Sequence, residues 1–166
     1  GENPGVGNDD NTAIGALPDG KSYTPQAPYK DTNSSSLADI AFQQWATDAQ
    51  DGTGVSTNLA NSLLPYYPDT SNTNYWDPKN DPATWQHMNT YAIGIGLSGF
   101  LNGSNDANSG YLPIWGGNTY AGDYNALVAG TVQWPKTADN YSGNVADLWH
   151  AAINGRGLFF GADSPN

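Results

Sequence analysis

One short apolar run constrains the fold more than any other part of the sequence. Within residues 81–99, DPATWQHMNTYAIGIGLSG, the apolar side chains are concentrated at residues 91–97. A short continuous run of this kind is typical of a strand buried on both faces of a parallel sheet. Gly94 and Gly96 would allow a helix to approach one face closely. We predict a central buried strand, preceded by one helical turn over residues 81–87 that the Asp-Pro pair would start.

Two amphipathic segments predict helices that cover this strand. Residues 36–50 open with Ser36 and Asp39 in the spacing of a capping box. Residues 144–154 carry apolar side chains at the i, i+3, i+4, i+7 and i+8 positions of one helical face. We expect Gly155 to end the second helix in the left-handed conformation, and the Leu-Phe-Phe segment that follows to form a short strand.

The chain divides by composition into two parts. Residues 1–30 contain four prolines and five glycines without sustained periodicity, which predicts an extended N-terminal arm. Residues 31–166 contain both predicted helices and the predicted strand. The sequence therefore predicts an α/β module with long loop-rich insertions, and the full 166 residues suit one domain with a real core.

The composition excludes several classes of partner and chemistry. Five basic against sixteen acidic side chains give a net charge of −11, so we expect neither nucleic-acid binding nor attraction to anionic membranes. No apolar run approaches the roughly 20 residues of a membrane span. The absence of cysteine excludes disulfides, thiol catalysis and cysteine-based zinc sites. The Asn/Ser/Thr/Tyr-rich, lysine-poor composition suits an exported protein, and Gly1 reads as a processed end or the edge of a fragment.

The titratable side chains favour no enzymatic chemistry. The two histidines are His87 and His150, and His150 follows Asp147 by one turn on the polar side of the second predicted helix. That pair suits an acid–base dyad or half a metal site; we favour the alternative in which Asp147 supports a helix start and His150 bonds nearby backbone. No nucleophile elbow, phosphate loop or dinucleotide fingerprint occurs, and no pair of carboxylates stands out for glycoside hydrolysis. Arg156, the only arginine, reads as a loop anchor that bonds helix-end carbonyls or as a contact for an acidic partner.

A group of aromatic residues in the Gly/Asn-rich stretch 100–130 is the candidate ligand site. Its members are Tyr111, Trp115, Tyr120 and Tyr124. Exposed rings in loops form stacking platforms for sugars, whereas aromatic side chains in loop-rich proteins more often cover the core. Both interpretations stay open at this point.

A second candidate site is the sequence Asp69-Thr-Ser71-Asn-Thr73, which resembles the metal-holding loop of adhesion domains. Asp69, Ser71 and Thr73 would be the ligands, but turn chemistry explains the motif without a metal. The cluster at residues 8–11, NDDN, also offers oxygen atoms, although the spacing of an EF-hand is absent. Calcium is the one cofactor that the sequence leaves open.

Four segments together resemble the PilY/PilC family of type IV pilus tip-associated adhesins and biogenesis factors. The segments, in order, are SLADIAFQQWATD, DPATWQHMNTYAIGIGLSG, TVQWP and ADLWHAAINGRGLFF. The resemblance extends over residues 15–166, and WQHM and DLWHAAINGRG are its most specific parts.

The resemblance implies a position in or after the family's von Willebrand factor A-like N-terminal region, upstream of its β-propeller. The central strand would then be a late strand of a partial Rossmann-like sheet flanked by the two helices. It also implies an outer-membrane or extracellular location, association with pilins or minor pilins, and roles in surface attachment, pilus extension and twitching. The first strand of an A-type domain and the calcium-binding propeller are not in this sequence, so neither metal site is transferred.

The expected function is that of a non-enzymatic adhesin or pilus-associated surface module. One alternative is a structural subunit of an extracellular filament, because half a sheet would expose an unpaired edge that invites self-association by strand addition. The chain would then be a short relative that borrows strands from neighbouring copies rather than a fragment. Another alternative is a carbohydrate-binding or hydrolytic domain built on the aromatic group.

Overall fold

The computed structural model describes residues 6–50 and 72–162. In this part of the chain the elements are α1 (Leu37–Ala46), α2 (Asn72–Tyr75), β1 (Ala92–Ile95), a 3-10 turn (Ser98–Phe100), β2 (Asn105–Asp106), β3 (Gly110–Tyr111), α3 (Tyr124–Val128), α4 (Gly143–Asn154) and β4 (Phe159–Ala162). β1 pairs with β4 in parallel, and β2 pairs with β3 in a short antiparallel hairpin. This mixture of helices and small sheets is compatible with the predicted α/β class.

Helix α1 begins at the predicted capping box. The Ser36 hydroxyl accepts a hydrogen bond from the Asp39 N–H at 3.1 Å, and the Asp39 carboxylate accepts one from the Ser36 N–H at 3.0 Å. The buried side of α1 includes Phe42 and Trp45, which pack among the aromatic residues of the core. Leu37, the first residue of α1, is 39% exposed.

Helix α4 is the centre of the structure. It packs against α1, β1 and β4, so its last six residues, from Trp149 to Asn154, are all buried. The expected left-handed glycine at the end of α4 is wrong: Gly155 has φ −88°, and the positive φ of 56° belongs to Arg156. Gly155 is instead needed for close approach, because a Cβ there would lie 2.5 Å from the Thr90 side chain.

The predicted strand is confirmed at Ala92–Ile95, but its burial on both faces is wrong. Its residues pair in register with β4 from Ala92–Phe159 to Ile95–Ala162. Ala92 and Gly94 are buried, whereas Ile93 and Ile95 are 65% and 77% exposed. The alternation arises because α4 covers one face of the sheet, and no described element packs on the other. The predicted strand after α4 is confirmed as β4.

The predicted helical turn over residues 81–87 is absent, and the chain there is irregular, with a bend at Trp85. The Asp81 carboxylate accepts hydrogen bonds from Trp45 Nε1 at 3.1 Å and from Asn89 Nδ2 at 2.9 Å instead of capping a helix. The segment runs alongside the end of α1, where the Ala49 N–H donates to the Gln86 carbonyl at 2.7 Å. These tertiary bonds override the local preference of an Asp-Pro pair for a helix start.

Residues 6–30 lie against the helices. Ile14 and Tyr23 form an isolated antiparallel bridge, and the buried rings of Tyr23 and Tyr29 contact each other edge-on at 6.4 Å. Trp134 binds the same region, because its Nε1–H donates to the Pro28 carbonyl at 2.6 Å. The described residues of this segment are thus part of the aromatic core.

Candidate functional site

His150 lies fully buried in a polar network on α4, not on a polar surface as predicted. Its Nε2–H donates to the Tyr29 carbonyl at 2.5 Å, and the same nitrogen is 3.6 Å from Asp10 Oδ2. Its Nδ1 is 3.5 Å from Asp31 Oδ2. The ring stacks on Trp134, with centroids 4.3 Å apart and an interplanar angle of 16°. The favoured backbone-bonding role of His150 is therefore confirmed.

The suggested dyad of Asp147 with His150 is replaced by a different contact. Asp147 turns to the start of α1, where its two carboxylate oxygens accept hydrogen bonds from the N–H groups of Leu37 at 2.8 Å and Ala38 at 3.2 Å. Burial raises the pKa of Asp147, and these bonds together with the charge of His150 oppose the rise. Asp147 does support a helix start, but the helix is α1 rather than its own.

The pKa values of the titratable residues around His150 are shifted in different directions. Burial raises the pKa of Asp10 to about 7, against the attraction of His150. Burial also acts to raise the pKa of Asp31, but hydrogen bonds from His150 and Asn33 outweigh it and hold that pKa below its usual value. For His150, burial alone would lower the pKa, yet the Asp31 hydrogen bond and the charges of Asp10 and Asp31 raise it.

The carboxylates of this network are occupied by protein donors. Asp10 accepts from the Asp31 N–H at 3.2 Å and from Asn154 Nδ2 at 2.9 Å. Asp31 accepts from the N–H and the Nδ2 of Asn33. Over residues 6–50 and 72–162 no group of three His or acidic residues is arranged to hold a metal ion. The arrangement can keep a proton bound in the interior of the protein, and it joins distant parts of the chain.

Arg156 is buried in a box of aromatic rings. Its guanidinium carbon lies 4.5 Å from the centroid of Tyr29, 4.4 Å from that of Trp45 and 5.7 Å from that of Trp76. Nη1 donates to the Asp77 carbonyl at 3.2 Å and to the Tyr29 hydroxyl. Arg156 does anchor a loop, but the prediction that it bonds carbonyls at the helix end is wrong, because the bound carbonyl is that of Asp77 in a distant loop. The sequence gives no sign of the aromatic box, because its rings come from three separate segments.

The structure divides the predicted aromatic group. Trp115 and Tyr120 line one cleft of about 190 Å³ together with Phe160. Tyr124 is buried, with its ring edge-on to Tyr120 at 5.2 Å. Tyr111 lies apart in a groove of about 630 Å³, and its hydroxyl donates to the Asp123 carboxylate at 2.7 Å. Two of the four predicted residues therefore line the same cleft, and their binding of a ligand stays a prediction.

The predicted metal ligands fall largely outside the described residues. Asp69 and Ser71 lie there entirely, and Thr73 is described only as part of the backbone of α2. In the acidic cluster at residues 8–11, Asn8 Oδ1 accepts a hydrogen bond from the Asn11 N–H at 3.1 Å, which is turn chemistry.

The fold and its interior define a small α/β module built on a buried polar network, with an aromatic cleft and grooves on its surface. No helix in the described ranges has the length and apolar character that a bilayer span requires. We also compared the chain with known proteins. No family model matches it, and no solved structure does.

Three curated proteins are similar to the chain over nearly its whole length, and each is a Type IV pilus biogenesis factor PilY1 of Pseudomonas aeruginosa. Identity is 49% over 165 residues for strain PAK, 50% over 165 for strain PAO1 and 45% over 170 for strain UCBPP-PA14. These matches cover 97%, 97% and 100% of this chain. Over nearly its whole length the chain is thus homologous to a segment of PilY1-type proteins, as its motifs predict. It spans only 13–14% of the length of these relatives.

Proposed function

We propose that this chain is a non-enzymatic module of a type IV pilus biogenesis factor, located at the cell surface or the outer membrane. It would act in pilus assembly and surface attachment, with pilins or minor pilins as partners. The observation that carries the proposal is the 45–50% identity to proteins named for type IV pilus biogenesis. The chain spans a small part of those proteins, so the activity and partners of the whole protein are part of the proposal.

The interior supports a scaffold role. His150, Asp10 and Asp31 are buried and bonded to one another or to backbone, and Arg156 is enclosed by aromatic rings. Side chains in such positions hold a fold together and have no direct access to a substrate. The parallel pairing of β1 with β4 beside α4 also supports a partial von Willebrand factor A-like sheet, which we propose as the finer fold assignment.

A complementation experiment tests the proposal. In a strain PAK mutant that lacks its PilY1, we would express PilY1 with this chain in place of the aligned segment. We expect recovery of sheared surface pilin and of twitching motility, whereas a PilY1 from which the segment is deleted should restore neither. A secreted, stable hybrid that supports no pili would contradict the proposed role. Counting attached cells at matched piliation tests the adhesin function separately.

A second candidate function is carbohydrate binding at the cleft of Trp115 and Tyr120. Asn118 and Thr119 line the same cleft and supply polar groups beside two aromatic rings. At about 190 Å³ the cleft is smaller than the roughly 300–1,000 Å³ typical of small-molecule pockets, so it suits one sugar unit better than an oligosaccharide. A glycan array is the test: binding should be lost in Trp115→Ala and retained in Tyr111→Ala. The absence of any bound glycan would remove this candidate.

A further inference from the structure

The outer edge of β1 is unpaired. In a parallel sheet, the N–H and C=O groups of one residue point to the same neighbouring strand, and those of the next residue point to the opposite side. Ala92 and Gly96 donate their N–H groups towards the β4 segment, each at 3.0 Å. The N–H and C=O groups of Ile93 and Ile95 therefore point away from β4, and they have no hydrogen bond to any residue within 6–50 or 72–162.

The opposite edge of the sheet is occupied at Phe159. The Thr119 hydroxyl donates to the Phe159 carbonyl at 3.0 Å and accepts from the Phe159 N–H at 2.9 Å. Thr119 is itself buried, so it occupies the position that a neighbouring strand would take beside β4. A further strand is therefore blocked beside Phe159, whereas no described residue occupies the outer edge of β1.

The side of the sheet that faces away from α4 is apolar and exposed. Tyr91 is 64% exposed, Ile93 65%, Ile95 77% and Phe160 48%. Ile93 and Phe160 are direct partners across the two strands, so their side chains lie on the same face. Parallel sheets normally have both faces covered. This face lacks such a cover among the described residues.

Charge is also missing from the two strands themselves, although the chain as a whole is strongly acidic. Between Asp81 and Asp106 the sequence contains no Asp, Glu, Lys or Arg, and residues 157–162 contain none either. Free edges of natural sheets are usually protected by charged side chains, proline or bulges. β1 is short, at four residues, but it carries no charge and no proline, so its edge remains suited to pairing with a further strand.

We propose that a β-branched, apolar strand pairs with β1 at Ile93 and Ile95, and that this strand comes from the part of a PilY1-type polypeptide outside these 166 residues. The chain spans 13% of its PilY1 relatives, so the greater part of such a polypeptide remains to supply the strand. A second copy is the weaker occupant, because each copy carries a net charge of −11. A separate partner also loses translational and rotational freedom on docking, whereas a strand in the same polypeptide does not.

The absence of cysteine allows a direct accessibility experiment. The variant Ile95→Cys places a single thiol on the exposed face of the isolated chain, next to the open edge. Val128→Cys, at a 40% exposed position on α3, is the matched control. Both variants are also made in the PAK PilY1 hybrid that carries this chain. The probe is iodoacetamide, and mass spectrometry of the peptides containing residues 95 and 128 gives the alkylation rates.

We expect alkylation of the Ile95→Cys variant to be at least tenfold slower in the hybrid than in the isolated chain, with the Val128→Cys rate nearly unchanged. Equal rates for Ile95→Cys in the two proteins would overturn the proposal. So would slow alkylation in an isolated chain that light scattering shows to be a dimer, because the occupant would then be a second copy. Amide exchange at Ile93 and Ile95, measured without any substitution, should show protection only in the hybrid. If the hybrid does not fold, native PAK PilY1 and its aligned segment give the same comparison at the aligned positions.

Discussion

The carboxylate of Asp147, in the second turn of α4, accepts a hydrogen bond from the N–H of Leu37, the first residue of α1, at 2.8 Å. A second bond reaches the Ala38 N–H. These two N–H groups belong to the first turn of α1 and have no partner within that helix. One side chain thus joins the start of the first long helix to the side of the last.

Removing this contact should destabilise the fold. We expect Asp147→Ala to lower the free energy of unfolding by about 1–2 kcal/mol, since it leaves two helix N–H groups without an acceptor and removes a negative charge from a helix N-terminus. Urea unfolding followed by far-ultraviolet circular dichroism at pH 7 measures the change. Asp139→Ala, at an exposed acid, is the control and should stay within about 0.5 kcal/mol of the unsubstituted chain. Equal stability of the two variants would contradict the role of Asp147.

Gly157 should not tolerate a side chain. A Cβ at this position would lie 2.0 Å from the Thr90 carbonyl oxygen, a backbone atom that cannot move without shifting the start of β1. We expect Gly157→Ala to destabilise the chain by about 1–3 kcal/mol or more. Gly15→Ala, where nothing lies within 4 Å of the added Cβ, is the matched control. Thermal unfolding of both variants measures the difference, and a neutral Gly157→Ala would show that the approach of Thr90 is not tight.

The aromatic box should depend on the shape of the arginine as well as on its charge. Arg156→Met removes the cation that faces Tyr29 and Trp45, and we expect a loss of about 2 kcal/mol or more because these contacts are desolvated. Arg156→Lys keeps the charge but not the planar group that lies against two rings, so we expect most of the same loss. Guanidinium unfolding monitored by tryptophan fluorescence is the measurement. Full stability of Arg156→Lys would mean that charge alone is sufficient.

The buried network should make the folded state less stable as the pH rises. The pKa of Asp10 is raised from 3.8 to about 7 in the folded protein, so its contribution to stability is present below pH 3.8 and is lost as the pH approaches about 7. The pKa of His150 is raised from 6.5, so its contribution is also lost at higher pH. Three other carboxyl groups, of Asp31, Asp39 and Asp147, influence these two residues.

Asp10→Asn should flatten this dependence. We expect the decline in the free energy of unfolding between about pH 4 and pH 8 to be smaller in the variant, with each pKa unit worth about 1.4 kcal/mol. Urea unfolding at intervals of one pH unit measures it, and Asp139→Asn, at an exposed acid, serves as the control. Identical slopes for the unsubstituted chain and Asp10→Asn would show that Asp10 does not titrate differently on folding.

Local signals predict the elements well. Ser36 and Asp39 lie three residues apart, and the capping box they form needs nothing else in the chain. The apolar segment at the strand and the helical periodicity of α4 are likewise encoded within about ten residues, so the sequence predicts both elements. It does not predict the irregular conformation of residues 81–87, because Asp81 is held by Trp45, which lies 36 residues away.

Local sequence signals do not predict the contacts inside the candidate site. His150 sits among polar and apolar neighbours on its helix, and its partner carbonyl, that of Tyr29, is 121 residues distant. Helical periodicity assigns one buried side, whereas α4 is covered by α1, by the sheet and by residues 6–30. Tyr111 and Trp115 are close in sequence, but the fold places Tyr111 in the groove and Trp115 in the cleft.

The bonds between the two ends of the chain have a consequence for the order in which it folds. Asn154 Nδ2 binds Asp10 Oδ2 across 144 residues, and Asp147 binds Leu37 across 110. Contacts at such sequence separation form late, because the intervening loop must first be closed. During synthesis, the N-terminal segment that contains Asp10 can form these hydrogen bonds only after α4 has been made. A nascent chain stalled short of residue 154 should remain sensitive to protease throughout its first 30 residues.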